Sequence, residues 1–185
     1  MDTIIDIIGA TVIAGLVMLG IANLNVYSSQ MRFKSDSDLK LQMDAKTISE
    51  ILGNDLRKIG YAYTGTPIIT ANEKEIKFYA DIDSNNVMDI ISFSLSDSNS
   101  VISENPNERI LYRAVNADTS KGPSLGMVNL KFTYKDGNGN ITSDPVMIKY
   151  IKAEIWVQSS SKVNENGTDK FISTYWELTI NPRNI

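Results

Sequence analysis

Hydrophobic and polar positions divide this chain into three stretches. From Ile4 to Met31 apolar residues dominate, and no charged side chain falls between Asp6 and Arg32. At about 1.5 Å rise per residue, a helix over this stretch is long enough to cross a hydrocarbon core of about 30 Å. Residues 1–31 are therefore predicted to form a helix buried in a membrane or in an equally apolar bundle.

Residues 32–60 continue the helix with a different pattern. Leu41, Ala45, Ile48, Leu52, Leu56 and Ile59 recur at helical spacing on one face, while Asp44, Lys46, Glu50, Asn54, Asp55 and Lys58 lie mostly elsewhere. The polar run Lys34–Asp38 is the expected weak point, with Ser37 or Asp38 able to cap a second helical segment. Gly60 is the first strong stop, and the first proline is Pro67.

From Tyr61 the period drops from 3.6 to 2, so residues 61–185 read as a β-rich head. Ile76 and Phe78 form one alternating run and Ile91, Phe93 and Leu95 another, with the acidic turn Asp81–Asp89 between them. Further strands are predicted over Arg109–Val115, Val128–Tyr134, Ile148–Val157 and Phe171–Ile180. Val128, Leu130, Phe132 and Tyr134 are placed on one face, and Ile172, Trp176, Leu178 and Ile180 on another. Asp136–Asn140 is a strong turn signal. The fold class is α+β: a long N-terminal helix, half apolar and half amphipathic, whose second half covers an antiparallel sheet of about five or six strands.

Composition narrows the chemistry. The 185 residues carry a formal net charge of −4, with Lys and Arg scattered, so a nucleic-acid partner is not expected. The chain has no Cys and no His, which removes thiol and Ser/His/Asp catalysis together with the usual zinc sites. No phosphate-binding glycine loop is present, so no enzyme activity is expected.

Asp6 is the one carboxylate inside the apolar run, where burial costs several kcal/mol, at least about 2.5, unless a cation pairs with it. A place at the membrane interface near the helix N-terminus is the simpler alternative. Ala10 with Ala14, and Thr11 with Gly15, form small-xxx-small pairs that let helices approach closely. The basic first region and small-residue cleavage site of a removable signal peptide are not seen, so the stretch is expected to be retained.

Two further features of the head carry candidate chemistry. Asp81, Asp83, Asn85 and Asp89 fall at positions 1, 3, 5 and 9 of a loop, as in the first part of a calcium-binding EF-hand. Asn86 stands where that loop has glycine and Ser92 where it has glutamate, and a solvated hairpin turn accounts for the same residues. Trp156 alternates out of phase with Ile155 and Val157, which makes it the better candidate of the two tryptophans for a partner contact.

Several segments, in this order, resemble the type IV pilin-like superfamily, in particular PilW-like minor pilins and J-type pseudopilins of type II secretion. Thr3-Ile4-Ile5-Asp6 resembles the Thr-Leu-Ile-Glu of the pilin N-terminus. Asp55-Leu56-Arg57-Lys58-Ile59-Gly60-Tyr61 resembles the Asp-Leu-Arg-x-Ala-Gly-Tyr that closes the long helix in that subgroup. The order of Asp81-Ile82-Asp83, Ile91–Leu95, Leu111-Tyr112-Arg113 and Leu130–Tyr134 running into Asp136–Gly139 agrees as well. The resemblance implies a filament subunit, minor or major, held in the inner membrane before assembly and then in an envelope or surface filament with copies of itself or other pilin-like subunits. It also implies that Asp6 pairs with the N-terminal amine of a neighbouring subunit, so that Met1, Asp6, Ala10, Ala14 and Gly15 are the expected assembly residues. Met1 stands where the family leader ends in glycine, and Asp6 is one methylene shorter than the family's glutamate. There is no helix-bending proline, which leaves Gly20 and Asn23 to supply any local melting. The alternative is a membrane-tethered β-domain that binds a partner and does not polymerise. No cofactor is expected beyond the calcium that the acidic loop suggests.

Overall fold

Helix α1 spans Asp2–Arg57, followed by ten β-strands. The computed structural model describes residues 2–97, 103–122, 125–165 and 168–185. The chain divides into two units, residues 1–38 and 39–185.

The first unit is helical, and its apolar side chains are exposed all round, from Ile4 at 64% to Met31 at 51%. It is long and apolar enough to cross a membrane, by length and composition. The polar run at 34–38 does not interrupt the helix. Ser37 Oγ donates to the Phe33 carbonyl at 2.8 Å, so the hydroxyl that was expected to cap a new segment bonds back into the existing one.

The second unit contains two sheets and a small ribbon. β1 (Ile68–Ala71), β2 (Glu75–Ala80), β3 (Asp89–Leu95), β4 (Leu111–Val115) and β5 (Asp118–Lys121) form a five-stranded antiparallel sheet in chain order. β6 (Met127–Lys135), β7 (Tyr150–Gln158) and β10 (Ser173–Ile180) form a second sheet in the order β10-β7-β6. β8 (Val163–Glu165) and β9 (Thr168–Lys170) pair as a ribbon inside what the sequence presents as a polar loop. The expected single sheet is thus two, because β6 does not pair with the strands before it.

One apolar core joins these layers. Leu41, Ala45, Ile48, Leu52, Leu56 and Ile59 of the helical side cluster with Ile76, Phe78, Ile91 and Phe93 of one sheet and with Leu130, Phe132, Ile151 and Ile155 of the other. Each sheet offers alternate residues to this core, and the helical stripe covers both. A register shift between Met127 and Asn129 takes Val128 off the predicted face and puts Met127 there instead, 2% exposed. At the β1–β2 turn the sheets are tied together: Tyr134 Oη donates to the Asn72 carbonyl at 2.9 Å, and Phe132 N donates to the Glu73 carbonyl at 2.7 Å. Burial, and then the charge of Glu75, pushes the Tyr134 hydroxyl well above the usual tyrosine range.

The helix ends at Arg57, three residues before the stop expected at Gly60, and a turn carries the chain on to that glycine. Gly60 has φ +74°, and a Cβ there would overlap the Asn184 carbonyl oxygen. Its N–H leaves the helix and donates to Tyr79 O of β2 at 2.9 Å. This one residue turns the chain into the sheet and accommodates the C-terminal segment.

Candidate functional site

The assembly residues predicted from sequence lie in the first unit. Asp6, Ala10, Ala14 and Gly15 are all exposed there, and Met1 lies outside the described residues. At 100° per residue, Ala10 and Ala14 stand ~40° and ~80° round from Asp6, and Gly15 ~180°. These small residues therefore span ~140° of the circumference, flanked throughout by Ile, Leu and Val. Nothing lies within 4 Å of a Cβ built on Gly15. Among the described residues Asp6 has no hydrogen bond or ion pair. A helix that is apolar on every side, small over ~140° of it and carrying one carboxylate unpaired among the described residues is suited to burial among other helices or lipid tails.

The acidic loop folds on its own amides. Asp81 is 2% exposed and accepts from Asn85 N at 3.1 Å and Asn86 N at 3.0 Å. Asp83 accepts from Asn85 N at 3.2 Å and from its Nδ2 at 2.9 Å. Asp89 accepts from Asn116 Nδ2 at 2.7 Å, and from Ile82 N at 3.4 Å. One carboxylate oxygen from each of Asp81, Asp83 and Asp89 lies within 4.8 Å of the other two, an all-oxygen set of the type calcium takes. Ser92, however, is a β3 residue paired with Lys77 and Ala114, so the twelfth position of an EF-hand is inside a strand. Donors from the loop itself, and Asn116 from the β4–β5 turn, reach each of these carboxylates.

The outer face of the β10-β7-β6 sheet holds a mixed aromatic and charged group. Trp156 is half-buried and pairs across strands with Tyr175, ring centroids 5.3 Å apart. Tyr175 Oη lies 2.9 Å from Glu154 Oε1 and 2.8 Å from Glu177 Oε2, and Lys152 Nζ bridges the same two carboxylates at 3.3 and 2.9 Å. The Lys152 hydrogen bond, followed by that of Tyr175, holds Glu177 below the usual carboxylate range. Burial and then the hydrogen bonds to Glu177 and Glu154 push Tyr175 up to about 12. Trp176 lies on the opposite face, paired with Ile155, as the alternation predicts, yet it is 37% exposed because β10 is an edge strand.

Some residues escape sequence reasoning. Asp55 belongs to the helical positions read as outward, and it is 4% exposed, accepting from Arg113 Nε of β4 at 2.6 Å. Its place one residue before Leu56 in the apolar stripe was the available signal. Arg57 and Arg183 line one cavity although they are far apart in the chain, and nothing in the sequence links them. No family model, no curated protein and no solved structure matches this chain.

Proposed function

We propose that this chain is a structural, non-catalytic subunit of a type IV pilus-like or pseudopilus filament, its N-terminal helix packed among those of neighbouring subunits and its β head exposed. The observation that carries this reading is the exposed helix of the first unit, apolar all round, with Asp6 unpaired among the described residues and Ala10, Ala14, Thr11 and Gly15 spread over ~140° of its circumference. A lone anchor gains nothing from small residues on several sides, whereas a helix with several helical neighbours does. Asp6 then pairs with the N-terminal amine of an adjacent copy or another pilin-like subunit, which compensates both charges in an apolar bundle. Before assembly the helix resides in the inner membrane; afterwards the subunit belongs to an envelope or surface filament, as a minor or a major component.

The outward Trp156–Tyr175 pair favours a second reading, a tethered β-domain that binds a partner through this face. Electron microscopy of material sheared from producing cells separates the two. Filaments that contain the chain in wild type and disappear with Asp6→Leu support assembly. A protein that stays dispersed in the membrane fraction, indifferent to Asp6→Leu, rejects assembly in favour of the tethered domain.

A further inference from the structure

Two arginine side chains of the head lack partners among the described residues, and both line the same open cavity. Residues 39–185 contain Arg57, Arg109, Arg113 and Arg183. Arg109 Nη1 donates to the Ser96 carbonyl at 3.2 Å, and Arg113 Nε donates to Asp55 at 2.6 Å. Among the described residues the Arg57 and Arg183 side chains make neither a hydrogen bond nor an ion pair. Both are exposed, and with Thr179, Ile180 and Asn181 they line an open surface cavity of about 450 Å³. None of these five residues carries a carboxylate, in a chain whose net charge is −4.

The backbone beneath the two side chains is fixed on both sides. Arg57 ends α1. Arg183 sits between the buried Pro182 and Asn184, whose carbonyl oxygen packs on Gly60, while Ile180 is 4% exposed and Ile185 packs against the core. The Asn181 amide, oriented as its neighbours require, donates to Lys149 O at 3.2 Å and Pro182 O at 3.1 Å. The segment that carries Arg183 is therefore pinned beside the end of the helix. Helix-dipole complementarity accounts for a basic residue at position 57, but it gives no reason for Arg183 to face the same cavity.

We propose that this cavity is an oxyanion site whose ligand carries a phosphate group. Two guanidinium forks present planar sets of N–H donors and two full charges. A phosphate monoester, with three acceptor oxygens and a charge of about −1.5 to −2 at neutral pH, matches both forks, whereas a single carboxylate satisfies one. The volume leaves room for the group that bears the phosphate. A soluble phosphate ester and a lipid headgroup share this chemistry, and the site does not depend on the filament reading.

The test uses the full chain dispersed in non-ionic detergent, with amide chemical shifts followed as sodium phosphate replaces chloride at constant ionic strength. Saturable shifts confined to residues 57, 179–181 and 183 are expected, weakened by about tenfold or more in Arg57→Gln/Arg183→Gln. Lys74→Gln/Lys77→Gln removes the same charge away from the cavity lining and is expected to leave the affinity unchanged. No saturable shift up to about 50 mM phosphate, or equal weakening by the two double variants, overturns the site. So does acetate binding as tightly as phosphate. Glycerol phosphate and micelles doped with phosphatidic acid then identify the source: tighter binding of the doped micelles assigns a lipid headgroup, and equal binding a soluble ester.

Discussion

Asp55 Oδ2 and Arg113 Nε meet at 2.6 Å, the carboxylate side chain 6% exposed and the guanidinium 29%. This pair fastens the last turns of α1 to β4 from within the helical side of the core. Arg113→Ala is expected to cost about 3–5 kcal/mol, because it leaves a buried carboxylate without its counter-charge. Asp55→Leu/Arg113→Met removes both charges and should cost much less than the single change. Urea unfolding of the full chain in detergent, followed by tryptophan fluorescence, measures both; equal losses would mean that the pair is not coupled.

Ala10→Leu and Ala14→Leu separate insertion from assembly. Each makes the helix more apolar, so membrane fractionation should be unchanged. Each also holds neighbouring helices apart, so the yield of sheared filaments should fall severely. Normal filament yield from both variants would remove the small residues from the assembly surface.

Gly60→Ala should destabilise the head by more than about 1 kcal/mol, since alanine is strained at φ +74° and its methyl overlaps the Asn184 carbonyl. Thermal unfolding reads this directly. A variant as stable as wild type would show that the C-terminal segment shifts without cost.

In the acidic loop, Asp81→Ala strips the acceptor from the Asn85 and Asn86 amides, at a cost of about 1–3 kcal/mol. Hydrogen exchange at those two amides should accelerate while the strand interiors remain protected. Unchanged exchange would show that Asp81 does not hold the loop closed.

Asp44 provides the pH dependence. Burial raises its pKa, the nearby Lys40 opposes that and Glu108 adds to it. An acid whose pKa is higher in the folded state is penalised when ionised, so its contribution worsens as pH rises from the unfolded value through the folded one. Asp44→Asn should therefore raise the melting temperature at pH 7 and give little gain below pH 3.8, where wild type is itself protonated. A gain of equal size at both pH values would assign the effect to packing.

The helical stripe from Leu41 to Ile59 was legible because a 3.6-residue period survives over five turns, and all six of its residues are buried. Asp55 was not, since a charge beside an apolar stripe reads as outward unless its partner, 58 residues later, is known. Short strands such as β5 and β9 carry no alternation that a sequence can show: their residues are exposed throughout. The bulge at Val128 is a matter of pairing geometry, and the split into two sheets depends on which edges meet. Proximity of Arg57 to Arg183 is likewise a product of topology alone.

The pinning of residues 180–185 against Gly60 and the core also anchors one end of β10, through Ile180. β10 is the edge strand that covers one side of β7, whose other side is held by β6. If β10 peels away, β7 is left with a bare edge, a surface open to pairing with other chains. The grip of Asn184 on Gly60 thus serves as a guard on a strand it does not itself pair with.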